Sequence, residues 1–185
     1  MDKYIETPLT KEKVKELHAG DYVYITGTVY TARDAAHKRM VEQKEQGMEL
    51  PFIMKDQIVY YLGPTPNREG QVIGSAGPTT SSRMDKYTPL LLSKGLKGMI
   101  GKGKRSQAVI DAIVKEKAVY MAAVGGAGAL LSKCIKESEV IAYDDLGTEA
   151  IRKMRVENLP VIVVIDSEGH NLYETAVADY LKEHN

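Results

Sequence analysis

Strand-like and helix-like stretches take turns along this chain, and that alternation restricts it to the α/β class. Thr10 to His18 reads as a short helix with Gly20 just past its end. Asp21 to Tyr30 sets Val23, Ile25, Gly27 and Val29 against polar or tyrosine neighbours, the pattern of a half-buried strand. Ala32 to Gln46 is helical in composition, and Gly47 can supply its left-handed cap. Gln57 to Leu62 is a second strand signal, followed by a Gly-Pro loop over residues 63–67. Gln71 to Ser75 reads as a short strand running into Gly77-Pro78, and Ser81 to Lys94 as a helix that Pro89 breaks or kinks. Gly98 to Ile100 is a strand, and Arg105 to Lys117 a helix with Val109, Ile110, Ile113 and Val114 on one face. Ala118 to Val124 is a buried strand leading into Gly125-Gly126-Ala127-Gly128 and a short helix. Val140 to Tyr143 is strand-like, Gly147 to Val156 helical, and Pro160 to Asp166 the strongest buried strand. A turn at Ser167 to His170 follows, and Ala176 to His184 reads as a closing helix. No repeat or linker interrupts the series, so one domain is expected over residues 1–185.

Several function classes fall away on charge and cysteine usage. Lysine plus arginine and aspartate plus glutamate balance at 25 each, so the chain lacks the basic footprint of a nucleic-acid binder. The single cysteine, Cys134, excludes a disulfide within the chain and a metal cluster held by this chain's own thiolates. Its plain reading is a small buried apolar residue. No run is long and apolar enough to span a membrane, and Met1 to Glu6 lacks a signal-peptide shape, so a cytoplasmic location is expected.

The chemistry-bearing residues cluster at strand-to-helix connections. Arg33 and His37 stand four apart on the expected helix and share a face. The start of that helix offers free amides and a positive dipole end, and Arg33 adds a fork that grips a carboxylate with two hydrogen bonds. An exposed helix with solvated charges is the plain alternative, and spacing alone favours it. Gly77-Pro78-Thr79-Thr80-Ser81-Ser82-Arg83-Met84 packs four hydroxyls behind a turn and then supplies a cation. It suits a carboxylate or phosphate, and equally an over-supplied helix cap. Gly101-Lys102-Gly103-Lys104-Arg105-Ser106 resembles a phosphate loop but fails the Walker pattern; a solvated basic turn is the alternative. Gly126 and Gly128 begin a dinucleotide fingerprint, but its third glycine position holds Leu131, and tight helix–sheet packing explains these glycines better. Arg33, Arg83 and Lys102, gathered at one edge of an open sheet, would suit a small dianion: a four-carbon dicarboxylate or a phosphate ester.

These segments resemble a known family. Thr31-Ala32-Arg33-Asp34-Ala35-Ala36-His37-Lys38-Arg39, the Gly77 to Met84 turn, Gly101-Lys102-Gly103 and Val156-Glu157-Asn158-Leu159-Pro160 occur in this order in class I fumarate hydratases, and the resemblance covers nearly the whole chain. It is to the β subunit of two-subunit enzymes, equivalent to the C-terminal domain of single-chain ones; the L(+)-tartrate dehydratase β subunit is a close relative. The motifs do not separate fumarate from tartrate. The resemblance implies a swivelling β/β/α fold, a mixed sheet with flanking helices, and reversible hydration of fumarate to (S)-malate. It implies a [4Fe–4S] cluster held by a partner α subunit and not by this chain, with an α2β2 assembly as the family expectation. By the same likeness Arg33, Arg83 and Lys102 bind the substrate carboxylates and Thr79 takes the proton. His37 and Thr80 are candidates for a supporting role, with a surface or entrance position open for His37. The family usually has Lys-Gly-Asn where this chain has Lys102-Gly103-Lys104, so Lys104 bears on substrate preference. A stand-alone nucleotide- or carboxylate-binding module without catalysis is the competing reading.

Overall fold

A computed structural model describes residues 2–63, 69–70, 72–74, 76–124, 128–175 and 181. Its centre is one mixed sheet of seven strands: β1 (Asp2–Glu6), β2 (Tyr22–Thr31), β3 (Ile58–Tyr60), β4 (Gly98–Gly101), β5 (Val119–Ala123), β6 (Ile135–Ala142) and β7 (Ile151–Ile165). The spatial order is β1-β2-β3-β4-β5-β7-β6, with β2 also paired to β7. Strands β1 to β5 run parallel, whereas β7 is antiparallel to β2, β5 and β6. The pairings therefore close a ring of β2, β3, β4, β5 and β7, with β1 and β6 outside it.

The central parallel strands β3 and β4 are buried on both faces, as crossover connections require. Val23, Ile25, Val29, Ile58, Tyr60, Ile100, Val119, Met121, Val161 and Val163 form one core, with Val14 of α1 (Lys11–Lys15). The alternate positions Val59, Tyr61, Met99, Tyr120 and Ile165 face the other. That second core is covered by Ala36 and Met40 of α2 (Asp34–Glu45), Leu91 and Leu92 of α3 (Thr88–Ser93), and Val109 and Ile113 of α4 (Gln107–Glu116). The expected alternation and flanking helices are thus present. Gly47 follows α2 at φ 82°, the left-handed position expected of it.

Several local readings are corrected. Residues 151–156 are strand and not helix: Ile151 and Met154 have helical spacing, but the segment pairs with β2 on one side and β6 on the other. Only a short 3-10 segment, Asp144–Glu149, precedes it, kinked at Gly147. Val72 to Gly74 bend instead of forming a strand, although Ile73 is anchored in the core; residues 71 and 75 lie outside the described residues. Ser81 to Lys94 divides into a 3-10 helix, Ser81–Met84, and α3, with the break before Pro89, which begins the second helix instead of interrupting it. Arg105 precedes α4, whose cap is Ser106: its Oγ accepts from Val109 N–H at 3.4 Å. The edge strand β1 carries no alternation signal strong enough to be read from sequence. The glycine run over residues 125–127 and most of the expected closing helix lie outside the described residues; α5 (Gly128–Ser132) opens at Gly128.

Candidate active site

Because β2, β3 and β4 are adjacent and parallel, the segments leaving them emerge at one edge of the sheet. Arg33 follows β2, Tyr61 to Gly63 follow β3, and Lys102 follows β4. The turn bearing Thr79 returns to this edge and is stitched to it by main-chain hydrogen bonds. Thr79 N–H donates to Tyr61 O at 2.7 Å, and Ser81 N–H to Lys102 O at 2.8 Å. Bridges Leu62–Pro78 and Thr80–Lys102 flank these bonds. Residues distant in sequence, Thr79, Thr80, Arg83 and Lys102, are thereby brought to the start of α2.

Arg33 occupies the cap position of α2 in extended conformation, so it does not lie within the first turn. Its guanidinium crosses the backbone at Gly63, where a Cβ would stand 2.2 Å from Nη1. Arg33 Nε and the neighbouring Asp34 Oδ1 are buried without a hydrogen-bond partner among the described residues. An exposed helix with solvated charges does not have this arrangement. Buried polar atoms are nearly always paired, so a donor and an acceptor left open on adjacent residues give this point capacity to bind a further group. Arg83 reaches the same point: its Nε and Nη2 each lie 2.7 Å from Asp34 Oδ2. Asp34 thus holds a half-exposed Arg83 beside Arg33. Lys102 and Thr80 are exposed, and Thr79 is half-buried.

The anion expected at the start of α2 is supplied by the chain itself. Ala35 N–H donates to Glu149 Oε1 at 3.1 Å, a carboxylate brought in by the 3-10 segment before β7. The hydroxyl-rich turn is not a side-chain cap, since Thr80 makes no capping hydrogen bond. Ser81 is instead buried, and its Oγ lies 2.7 Å from the Tyr120 hydroxyl.

His37 is neither at an entrance nor on the surface: it is buried beneath the site, edge-on to Tyr61. Its Nδ1 lies 2.7 Å from Arg33 O, which can only accept, so Nδ1 carries the proton. Burial pushes its pKa down to about 4, against the bond to Arg33 O, with the charge of Arg105 adding to the depression. Between this value and the ordinary 6.5 the unfolded chain binds the extra proton. Stability therefore falls as pH drops through that window, by about 3 kcal/mol near its lower end. Urea titrations at pH 7 and pH 4.5 should show this loss in the wild type and a shallower one in His37→Gln; parallel slopes would contradict it.

Beneath the turn lies Arg105, whose side chain is 0% exposed. Nε donates to Asp85 Oδ1 at 2.7 Å, and Nη2 to Tyr61 Oη at 3.1 Å and Thr88 Oγ1 at 3.0 Å. Its guanidinium also lies 4.7 Å from the Tyr120 ring centre and 5.2 Å from that of Tyr61. Arg105, Tyr120, Asp34 and Glu149 carry no local sequence signal for these roles. The partners in these hydrogen bonds lie 17 to 114 positions away, beyond any periodicity.

Among the described residues no group of three or more His, Cys, Asp or Glu could hold a metal ion. Cys134 packs against the inner core, with Sγ 3.9 Å from Asn158 O. The donors present do not fit an iron–sulfur cluster. Among the described residues no helix is long and apolar enough to cross a membrane.

Comparison with known proteins identifies the scaffold. The profile of the family "Fumarase C-terminus" matches residues 3–176. "Fumarate hydratase 2" of Leishmania major is 37% identical over 178 residues, covering 94% of this chain and 31% of that protein. "Fumarate hydratase class I, anaerobic" of Escherichia coli is 42% identical over 155 residues, 83% of this chain and 28% of that protein. The chain thus spans about a third of the length of these fumarate hydratases. It matches 91% of the "Putative L(+)-tartrate dehydratase subunit beta" of Methanocaldococcus jannaschii, at 36% identity. With a profile running along almost its whole length, this chain belongs to the fumarase C-terminus family.

Proposed function

We propose that the chain is the β subunit of an iron–sulfur hydro-lyase that interconverts fumarate and (S)-malate. Its active site is shared with an α subunit that holds a [4Fe–4S] cluster. What carries the reading is the meeting of Arg33, Thr79, Arg83 and Lys102 at one sheet edge beside two orphaned buried polar atoms. The roles of these residues and the need for a partner are part of the proposal. Arg33 and Arg83 supply planar forks, and Lys102 a mobile point charge, for the two carboxylates. In the malate-to-fumarate direction a proton leaves the carbon beside one carboxylate, the neighbouring C–O bond breaks, and the hydroxyl departs as water after taking a proton from an acid supplied by the α subunit. Thr79 accepts the carbon-bound proton. A threonine hydroxyl is a poor base in water, so this role requires its deprotonated form to be stabilised by the surrounding cations. The second substrate reading, L(+)-tartrate, draws on the match to 91% of the putative L(+)-tartrate dehydratase subunit beta of Methanocaldococcus jannaschii. A binding module without catalysis is the remaining alternative.

Co-expression with the cluster-bearing subunit, followed by assays on fumarate and L-tartrate, separates these readings. The expected result is a co-purifying, oxygen-sensitive complex that hydrates fumarate; turnover of tartrate alone would shift the substrate. A monomer with no activity in any such mixture would refute the hydro-lyase reading. In the active complex, Thr79→Ala should lower kcat by at least about 10²-fold, the scale of a lost acid–base group. Full turnover by that variant would remove Thr79 from the mechanism.

A further inference from the structure

We propose that the Tyr120 hydroxyl is a positioning clamp for the active site. It locks the turn bearing Thr79 and Arg83 to the loop bearing Lys102. This inference rests on the hydro-lyase reading for its catalytic consequence, but the clamp itself stands on geometry alone. Tyr120 lies on β5, behind the site and away from the edge where substrate would bind. Its hydroxyl is 2.8 Å from Gly103 O and 2.7 Å from Ser81 Oγ. A phenol has one proton, and a carbonyl can only accept. Tyr120 therefore donates to Gly103 O and accepts from the Ser81 hydroxyl. One oxygen joins two loops, each adjacent to a proposed substrate-binding residue: Gly103 follows Lys102, and Ser81 lies between Thr79 and Arg83.

Three further features commit the phenol to this position. Burial raises its pKa, so it remains a donor throughout the neutral range. The Arg105 guanidinium stacks 4.7 Å from its ring while bonding Asp85, the residue after Met84, and Thr88 at the start of α3. Gly101 leaves room for Ser81, since a Cβ there would meet Ser81 Oγ at 2.0 Å. The clamp works in parallel with the main-chain bond from Ser81 N–H to Lys102 O. Main chain and side chain together fix the separation of Thr79 from Lys102. A displacement of about 1 Å in a reacting group can cost on the order of 10²-fold in rate, which sets the scale of the effect.

Tyr120→Phe keeps the ring and its stacking on Arg105 but removes the bridge; Ser81→Ala removes one arm. In the assembled enzyme, normalised to intact sites, each should lower kcat by roughly 10-fold or more, with KM changed less than about threefold. The double variant should be little worse than Tyr120→Phe, because both remove the same connection. Hydrogen exchange at the Ser81 amide should accelerate in Tyr120→Phe relative to amides of α2. Unchanged kcat, additive losses in the double variant, or unchanged Ser81 exchange would each overturn the clamp. If the wild-type complex hydrates no diacid, the hydro-lyase reading fails, while the exchange measurement still decides whether the clamp exists.

Discussion

Arg105→Met should lose about 3–5 kcal/mol of stability, the range for breaking one side of a buried ion pair. At this chain length that corresponds to roughly 6–20 °C in Tm. The reason is the accounting of charges left behind. Asp85 Oδ1 would lose the guanidinium at 2.7 Å while Asp85 stays largely buried. Its other oxygen accepts from Ser106 N–H at 2.7 Å, so Asp85 cannot swing to solvent without releasing the start of α4. The Tyr61 and Thr88 hydroxyls would lose a donor as well. Arg105→Lys keeps the charge but not the fork, and should recover only part of the loss. Arg105→Met combined with Asp85→Asn should be less damaged than the sum of the single changes, since the stranded carboxylate is gone. Equal urea midpoints for wild type and Arg105→Met would show that the pair contributes no net stability.

A large catalytic effect, on the scale of that at Thr79, is expected at Arg33. Arg33→Ala in the active complex should lower kcat/KM by roughly 10²–10³-fold, comparable to removing one preorganised donor from a reacting anion. Arg33→Lys should restore little of this, because a point charge cannot reproduce a bidentate grip. Gly63→Ala provides an independent route to the same loss. The new Cβ would stand 2.2 Å from Arg33 Nη1 and 2.6 Å from Cζ, so the guanidinium must move. The clash involves the far end of a flexible side chain, so Tm should change little while kcat/KM falls. Wild-type kinetics in Gly63→Ala would mean that the observed position of Arg33 is not the productive one.

Agreement between sequence and structure follows the range of the forces involved. The helix around His37 and the strand β2 were readable because their patterns are local: turn residues at the ends and a repeating apolar period between. The break before Pro89 is also local: proline lacks an N–H and is tolerated only in the first helical turn, which places it at the start of α3. Residues 151–156 have a spacing that fits a helix, while the strand is stabilised by two partner strands that no local window contains. His37 was ambiguous for a similar reason: its place on the helix was readable, but not which neighbours would cover it.

Taken by itself, the sequence determined the α/β alternation, the strand-to-helix segments carrying Arg33 and Lys102, the hydroxyl-rich turn leading to Arg83, and the shortage of cysteine for a cluster in this chain. These follow from residue type and local order. Only the tertiary structure decided that Asp34 holds Arg83, that Glu149 occupies the start of α2, and that Arg105 and Tyr120 support the turn from behind. Those contacts join residues brought together by strand pairing, parallel from β2 to β5 and antiparallel at β7. Burial then makes each polar group's choice of partner energetically consequential.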